Sequence, residues 1–453
     1  MRRRSAFLPV ALLLAGCSST IVDNPTPSAT APEPEEPPRP SPTAEPAPAP
    51  NGVAPATPAD LARRSAEDYD DNEAGLVTAS RVNAWRADWA NAKPAGVAGD
   101  LVVLQLDPAA GEAPFVAAAP GVRVYHAAEL TRLLEPRNNG IAAIGTVPAN
   151  GIRIDRFMRR FSIRPNHDFV LFAAGEPSAT SLATLTRAWL SFRYWGFQHE
   201  ALGVLNGAVA QVLPAGLRSA EVAPHPFGGD VRIVTEPQDH FVLLADVGAV
   251  REAVGRDPLI DARPADEYEG SALGASALDD TCLDGAPACT PTFSGRIRGA
   301  RNLPWTALLE ADGTLKPRDA LDALARGAGL EPSKTAYVYD LDGYGGALLS
   351  FTLLAIVAQP ARWYAASYLE WGALNASHPE PALRALGEDS PWRTDRFPAL
   401  TEGANSWAPA SSGVRPLVFD DAVERSTRVQ ESDAEYKKKP PELPAVGAGE
   451  DGC

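Results

Sequence analysis

The sequence predicts an α/β protein with two consecutive domains, each a mostly parallel sheet flanked by helices. Short, almost continuous apolar runs, such as 101–106 and 169–172, alternate with longer amphipathic segments. Continuous apolar runs are typical of strands buried on both faces of a parallel sheet, with helices as the crossover connections. The same order of segments occurs twice, which indicates an internal duplication. We therefore expect one domain at 75–214 and a second at 215–385.

The first domain is predicted to begin with an amphipathic helix and to end with a strand. Its helices carry apolar side chains three or four residues apart, the spacing that places them on one face. In chain order, the predicted elements are a helix around Val82, Trp85 and Trp89, the strand 101–106, a helix around Leu130, Leu133 and Leu134, a helix with Ile154, Phe157, Met158 and Phe161, the strand 169–172, the small-residue turn Ala173, Ala174 and Gly175, a helix with Leu182, Leu185, Trp189 and Phe192, and the strand 201–205.

The second domain is predicted to repeat this order. A polar turn follows its most apolar strand and precedes a leucine-rich helix, and the tryptophans of both domains are expected to pack in the cores. The predicted elements are the strand 259–261, a helix with Leu321 and Leu324, the strand 336–339, the turn Asp340 to Gly343, and a helix with Leu348, Phe351, Leu354 and Ala355.

The first residues have the pattern of a bacterial export signal. Three arginines precede a short apolar run, and Leu14-Ala15-Gly16-Cys17 is similar to the lipobox at which bacterial lipoproteins are cleaved. The apolar run is shorter than the about 20 residues that a membrane-spanning helix needs. We therefore expect 1–17 to be a lipoprotein signal peptide and lipid on Cys17 to anchor the chain in the cell envelope, with an ordinary secretory signal as the alternative. Ser18 after the cysteine favours an outer membrane, facing the periplasm.

Two segments lie outside the predicted domains. Residues 18–74 are rich in proline, so they are expected to form an extended tether that buries no core of its own. Residues 386–453 are expected to be an extended or disordered tail.

Charge and composition exclude several classes of function. The formal net charge is −16, from 57 acidic and 41 basic residues, and no basic stripe is present. This argues against nucleic acid and against electrostatic binding to anionic lipid. The six histidines are scattered, so the sequence predicts no metal site, no Ser/His/Asp arrangement and no cofactor.

Several motifs of the second domain resemble the second half of a tandem rhodanese, the thiosulfate sulfurtransferase family. The resemblance rests on Asp261 to Arg263, on Glu267 with Tyr268, on the segment 295–304, and on the segment 367–372 that contains Trp371. The first domain is similar to the family more loosely, through the segments 187–197 and 204–207. The resemblance implies two tandem rhodanese-like domains.

In that family, a cysteine follows the fourth strand and begins a loop of converging backbone N–H groups at a helix N-terminus. Such a loop binds anions and lowers the pKa of the thiol, which carries the transferred sulfur. The resemblance places Asp340 where the cysteine stands, Gly345 where a basic residue is common, and Ala173 at the corresponding position of the first domain. The family loop then comprises Asp340, Leu341, Asp342, Gly343, Tyr344 and Gly345, and the degenerate loop comprises Ala173, Ala174 and Gly175.

We therefore predict an envelope binding or scaffold module without sulfur transfer, with an unknown envelope protein or a small anion as its partner. In one interpretation the Asp340 carboxylate accepts the loop N–H bonds and stabilises the turn. In another the loop binds a cation between Asp340 and Asp342, or a group of a partner. A third is suggested by the segment 337–343, which also resembles the first motif of the haloacid dehalogenase phosphatases, where two aspartates and Mg²⁺ act together.

The cysteines leave a sulfurtransferase alternative open. Cys282 and Cys289 lie in an insertion, 271–294, and a disulfide between them is expected under the oxidising conditions that an exported protein meets; free thiols or a metal pair are the alternatives. Cys453 is the odd thiol at the end of the tail. A sulfurtransferase in the family sense would use a non-standard cysteine such as Cys282 or Cys453.

Overall fold

The computed structural model describes both predicted domains and parts of the flanking segments. All described residues belong to one compact unit, Pro48–Cys453. The described residues are 55–106, 114–128, 130, 133–138, 143–176, 178–226, 231–276, 295–376, 394–395 and 428–442.

The described part of the chain contains short strands in two larger sheets and three two-stranded pairs. The strands are β1 (Gly75–Val77), β2 (Leu101–Gln105), β3 (Phe115–Val116), β4 (Val122–His126), β5 (Leu134–Asn138), β6 (Ala143–Pro148), β7 (Phe169–Ala174), β8 (Leu202–Ala208), β9 (Arg218–Ser219), β10 (Leu259–Asp261), β11 (Arg296–Ile297), β12 (Arg301–Asn302), β13 (Ala336–Tyr339), β14 (Ala361–Trp363) and β15 (Thr394–Asp395).

The first larger sheet is parallel throughout and has the order β1-β8-β7-β2-β4. Its inner strands are apolar at almost every position, so alternate side chains enter two cores. In β2, Val102 and Leu104 pack in a core that extends to the second sheet, whereas Leu101 and Val103 pack in the core on the opposite face. The predicted sheet covered on both faces is confirmed.

The second larger sheet is also parallel and has the order β12-β10-β13-β14. Strand β13 lies between β10 and β14, and Asp261 at the end of β10 pairs in register with Tyr339 at the end of β13. Because neighbouring parallel strands end at the same edge, Asp261 and the residue after Tyr339, Asp340, lie at one edge of the sheet.

Several helices begin at a polar residue whose side chain accepts a backbone N–H bond, as Ser178 does from Ser181 and Asn150 from Arg153. The helices are α1 (Pro58–Leu61), α2 (Ala79–Ala87), α3 (Trp89–Ala92), α4 (Gly151–Phe161), α5 (Ala179–Tyr194), α6 (Val209–Val212), α7 (Val247–Ala253), α8 (Ala265–Tyr268), α9 (Arg318–Gly327), α10 (Tyr344–Phe351), α11 (Ser367–Ala376) and α12 (Arg428–Lys438), and α10 continues into a π-helical turn, Thr352–Ile356.

Helices α5 and α10 pack against each other. They join the first half of the chain, built around the first larger sheet, to the second half, built around the second larger sheet. The Trp189 ring of α5 meets the Phe351 ring of α10 edge to face, with the ring centroids 5.0 Å apart. Both side chains are fully buried. The helix that follows the first sheet's β7 therefore reaches the helix that follows the second sheet's β13.

Most predicted elements are confirmed, but the helix expected around Leu130, Leu133 and Leu134 is wrong. Residues 134–138 form β5, which pairs antiparallel with β6 and has an irregular register at Pro136. Proline lacks the N–H that a helix interior needs, whereas a strand irregularity accommodates it. The apolar spacing in this segment reflects the burial of Leu130 and Leu133 rather than a helix.

The last part of the expected tether is not extended. Residues 57–74 pack on the second half: Leu61 and Tyr69 are buried, the Arg63 N–H donates to the Leu354 carbonyl at 2.6 Å, and the Tyr69 hydroxyl donates to the Lys316 carbonyl at 2.5 Å. The two apolar side chains give this segment a surface to bury, which the proline-rich residues before it lack.

The predicted tail and the domain boundary also need correction. Within 386–453, the segment 428–438 is the helix α12, which packs on the first half through Asp433 and Val429. Strand β9, which was predicted to lie in the second domain, pairs with β3 of the first half. The first half therefore extends to at least Ser219.

Some predictions concern residues that the structure does not describe. The signal peptide 1–17 with Cys17, the pair Cys282 and Cys289, and Cys453 lie outside the described residues. Among the residues that are described, every helix is too short or too polar to cross a membrane.

Candidate functional site

The candidate site lies at the carboxyl end of β13, where a short loop leads into α10. Gly343 allows the loop to turn: it has φ of 92°, and a Cβ there would lie 2.6 Å from the carbonyl oxygen of Ala365. Only glycine adopts this conformation without a clash. The loop places the backbone N–H groups of 343 and 345 around the side chain of Asp340.

Asp340 is buried, and backbone groups of its own loop hold its carboxylate. Oδ1 accepts the Gly343 N–H at 2.6 Å, and Oδ2 accepts the Gly345 N–H at 2.7 Å. The Ser367 hydroxyl donates to Oδ1 at 2.9 Å. The loop is thus a cradle of N–H donors, and the side chain of residue 340 itself occupies it, as the first interpretation of Asp340 expects.

Asp340 and Asp342 are neighbouring buried acids with raised pKa values. Burial and the Asp342 carboxylate raise the pKa of Asp340 to about 7, although the three donors favour its ionised form. Burial also raises the pKa of Asp342, while a hydrogen bond with Ser276 and the charge of Arg187 act in the opposite direction. The dominant cause in each case is desolvation of the charged form. The loop is therefore unfavourable for a further negative charge.

Beside the loop, Asp261 and Arg263 form a buried ion pair. Arg263 donates through Nη2 to Asp261 Oδ2 at 2.6 Å and through Nε to Oδ1 at 3.0 Å, and Nη2 also donates to the Gly295 carbonyl at 2.6 Å. Its guanidinium lies 4.0 Å from the centroid of the Tyr368 ring. These contacts connect β10, the segment after the insertion and α11.

The loop forms one wall of a cleft of about 430 Å³. The opposite wall comes from the first half, because α5 contributes Thr180, Ala183 and Thr184. The Trp305 ring lies directly against Gly345, where a Cβ would be 2.1 Å from Trp305 Cδ1. A basic side chain at residue 345 would therefore require Trp305 to move.

Arg187 connects the first half to the loop. It is 5% exposed, and its guanidinium carbon lies 3.4 Å from the centroid of the Tyr344 ring. A guanidinium stacked on an aromatic ring within about 6 Å is a cation–π contact. Arg187 also supplies positive charge near Asp342. Part of the compensation for the buried acids therefore comes from the other half of the chain.

The remaining family-motif residues lie at or near the same edge. Glu267 in α8 lines the cleft, and burial raises its pKa to about 7, which the charge of Arg263 partly offsets. Trp371 is buried in α11, whose first residue is Ser367. The structure therefore brings Asp340, Asp342, Arg263 and Glu267 to one cleft, with Trp371 as part of the supporting core.

The corresponding segment of the first half has a different structure. Ala173 and Ala174 belong to strand β7 and are not the predicted turn; the Leu106 N–H donates to the Ala173 carbonyl at 2.9 Å. Both alanines are buried. Their methyl groups provide no nucleophile and no charge, so this segment acts as a sheet element.

The bonds of Asp340 compete with a Mg²⁺ ion. Oδ1 accepts the Gly343 N–H and the Ser367 hydroxyl, and Oδ2 accepts the Gly345 N–H, so a metal ion or a phosphate ester at this carboxylate would have to share or displace these donors. The residues that the structure describes contain no group of three or more acidic, histidine or cysteine side chains arranged to hold a metal ion.

Sequence reasoning missed the residues that complete the site from elsewhere in the chain. Ser367 lies within the motif segment 367–372, but nothing in the pattern indicated its bond to Asp340. Trp305 and Arg187 carry only indirect signals: Trp305 follows the motif segment 295–304, and Arg187 is a charged residue next to the apolar positions Leu185, Ala188 and Trp189 of its helix. A charge at a core position of a helix is a general indication of a functional or structural partner.

Comparison with known proteins identifies the domain around the loop. The family described as the rhodanese-like domain matches residues 246–374. The second half therefore contains a rhodanese-like domain. The match begins at residue 246, next to α7.

Two curated proteins and one solved structure are similar to this chain. The sulfur carrier protein TtuD of Thermus thermophilus is 27% identical over 197 residues, which is 41% of this chain and 65% of TtuD. The 3-mercaptopyruvate sulfurtransferase of Escherichia coli is 26% identical over 216 residues, 48% of this chain and 69% of that protein. This chain thus spans slightly less than two thirds of the TtuD length. The solved structure of SseA from Escherichia coli, a 3-mercaptopyruvate sulfotransferase, has a TM-score of 0.44 and 18% identity, covering 65% of this chain and 99% of that one.

Proposed function

We propose that this protein is a binding or scaffold module with a rhodanese-like fold, in which the loop after β13 no longer carries sulfur. In this proposal Asp340 takes the place of the family's cysteine, and its carboxylate fills the N–H cradle. The supporting observation is that the N–H groups of Gly343 and Gly345 donate to its two oxygens. A loop whose donors bind its own side chain has no cradle left for a small anion.

The chemistry of the side chains supports the same proposal. Sulfur transfer needs a soft thiolate that attacks a sulfur and later leaves, and a carboxylate oxygen does neither. Asp342 and Glu267 at the same cleft would also repel a doubly charged anion such as thiosulfate. A partner in the envelope, either a protein or a ligand other than thiosulfate, is consistent with this arrangement.

The alternative is a sulfurtransferase that uses a non-standard cysteine. The names of the relatives, a sulfur carrier protein and a 3-mercaptopyruvate sulfurtransferase, favour it. The candidate thiols are Cys282, Cys289 and Cys453. Each would have to reach the cleft from a segment outside the described residues.

One assay separates the two functions. Thiocyanate formation from thiosulfate and cyanide is measured with a Cys17→Ser protein and with the same protein carrying Ser at residues 282, 289 and 453. We expect no thiocyanate above the protein-free rate from either. Activity that disappears with the three replacements would establish the alternative, and activity that survives them would refute both accounts.

We further propose that lipid on Cys17 holds the module in the bacterial envelope, at an outer membrane and facing the periplasm. The support is the lipobox-like segment 14–17 and Ser18 after it. The test is the fractionation of cells that express the wild-type chain or the Cys17→Ser variant. We expect membrane-bound wild type and a released variant; the same distribution for both would refute the anchor.

A further inference from the structure

Arg263 brings an unsatisfied donor to the wall of the cleft. It is 1% exposed, and its Nε and Nη2 donate to Asp261 and to the Gly295 carbonyl. Its third nitrogen, Nη1, has no acceptor among the residues that the structure describes. A buried donor without an acceptor is costly, so such groups usually serve a ligand or a structural water.

Glu267 brings an unsatisfied acceptor to the same cleft. Its Oε2 is buried and has no donor within the described part of the chain. Arg263 and Glu267 influence each other electrostatically and both line the cleft, yet these two described residues form no ion pair. A single group that accepts from Nη1 and donates to Oε2 would satisfy both.

The cleft carries charged groups of both signs. Asp340, Asp342 and Glu267 oppose an anion, while the buried guanidinium of Arg263 opposes a cation placed against its Nη1. Burial raises the pKa of Glu267 to about 7, so at neutral pH this carboxyl group occurs in both its protonated and its ionised form. An uncharged polar ligand loses the least solvation on entering.

The aromatic wall favours a flat ligand. The Trp305 ring lies against the Gly345 backbone and faces a cleft of about 430 Å³, which is large enough for a substituted aromatic ring. A planar group packs against an indole with little loss of conformational freedom.

We infer that the cleft between α5 and the loop after β13 binds an uncharged, planar group that carries a hydrogen-bond acceptor beside a donor, as a primary amide does. The acceptor faces Arg263 Nη1 and the donor faces Glu267 Oε2. This inference rests on the proposed binding function and names the class of ligand for it.

Three probes of nearly equal shape test the inference in the full chain: benzamide is uncharged, benzoate is an anion and benzamidine is a cation. Binding is measured by ligand-observed NMR titration at neutral pH. We expect benzamide to bind at least about tenfold more tightly than the other two. The acidic groups of the cleft repel benzoate, and the Arg263 guanidinium repels benzamidine. Equal or tighter binding of benzoate or benzamidine, or no binding of any probe, would overturn the inference.

Variants at residue 267 locate the binding. Glu267→Met removes the acceptor and should weaken benzamide at least about tenfold. Glu267→Gln keeps an acceptor oxygen and should retain benzamide within about threefold. Glu269→Met is the matched control, because Glu269 is exposed directly after α8 and its variant should bind benzamide as wild type does. Unchanged affinity in Glu267→Met would overturn the inference. If the methionine variant does not fold, a loss of benzamide affinity of more than about threefold in Glu267→Gln would overturn it.

The failure of this inference is distinct from the failure of the proposed function. Thiocyanate formation decides whether the loop or any cysteine transfers sulfur, whatever the probes do. The charge series decides only which ligand the cleft prefers.

Discussion

Asp340 and Ser367 are joined by two hydrogen bonds that run in opposite directions. The Ser367 hydroxyl donates to Asp340 Oδ1 at 2.9 Å, and the Asp340 N–H donates to Ser367 Oγ at 3.3 Å. Ser367 has φ of 55°, a left-handed conformation that non-glycine residues seldom adopt. The residue that follows β13 is thereby connected to the residue that begins α11, and this contact helps to hold a strained backbone at the site.

Ser367→Ala should destabilise the fold. The variant removes a donor to a buried carboxylate, which costs about 1–3 kcal/mol. The free energy of unfolding is measured by denaturant titration at neutral pH. Ser333→Ala, at an exposed position, is the control and should change it by less than about 0.5 kcal/mol. If the two variants were equally stable, the bond to Asp340 would contribute nothing to the fold.

Glu267 should make the protein less stable as pH rises. Its pKa is about 7 in the folded state against 4.5 for the free side chain, so the fold favours the protonated form. That contribution is complete below the unfolded value and is lost as pH rises through about 7. Glu267→Gln should therefore lose less stability than wild type between about pH 5 and 8, by roughly 1–2 kcal/mol after allowance for the partial exposure of the side chain.

Unfolding curves at several pH values check this expectation. Glu269→Gln is the control, since Glu269 is exposed and its replacement should leave the pH dependence as in wild type. A parallel pH dependence in Glu267→Gln and wild type would mean that Glu267 is not buried as the structure has it.

The pKa of a thiol placed at residue 340 should depend on the charge of Asp342. In a chain without its native cysteines, Asp340→Cys brings a thiol to the N–H groups of Gly343 and Gly345. The Asp342 carboxylate opposes thiolate formation, so Asp342→Asn should lower the pKa of that thiol by about 1 unit. The alkylation rate with iodoacetamide, measured against pH, gives both values. Identical profiles would show that Asp342 does not act on residue 340.

The sequence predicted the second half well, because its signals are local. The strands 259–261 and 336–339 are continuous apolar runs between polar turns, and the loop Asp340 to Gly343 follows directly from the end of β13. The placement of Asp340 at a cradle of N–H groups came from the resemblance to the rhodanese family. That resemblance could be applied here because the strand end, the glycine and the helix start are consecutive in the chain.

The parts that the sequence could not predict depend on contacts between distant residues. The wall formed by Thr180 and Thr184, and the stacking of Arg187 on Tyr344, require the packing of α5 on α10 across more than one hundred and fifty residues of chain. The same holds for α12, whose own sequence is polar and predicts no core. Its structure comes from the surface on which it packs.

Arg187 should stabilise the junction between the two halves through its planar guanidinium. Arg187→Lys keeps the charge near Asp342 but loses the stacking on Tyr344, which should cost about 0.5–2 kcal/mol of unfolding free energy. Arg156→Lys is the control, because Arg156 is exposed on α4. Denaturant titration compares the two. A loss no larger than that of the control would show that the charge alone matters at this position.

Removal of one partner from the buried ion pair between α12 and the first half should strongly lower the free energy of unfolding. Asp433 is 1% exposed and accepts from Arg137 at 2.8 and 2.6 Å and from the Tyr194 hydroxyl at 2.6 Å. Asp433→Ala would leave the Arg137 charge buried without its carboxylate, at a cost of about 3–5 kcal/mol.

Two measurements test this last expectation: the free energy of unfolding, and hydrogen exchange of the amides in 428–438. Glu435→Ala is the matched control, because Glu435 is exposed on the same helix and its loss should change the unfolding free energy by less than about 0.5 kcal/mol. We expect fast exchange of α12 in Asp433→Ala and slow exchange in the control. Since α12 is polar and only 11 residues long, it has little stability alone, so loss of the pair should release the helix. Equal protection in both variants would show that apolar contacts, such as those of Val429, hold α12 in place.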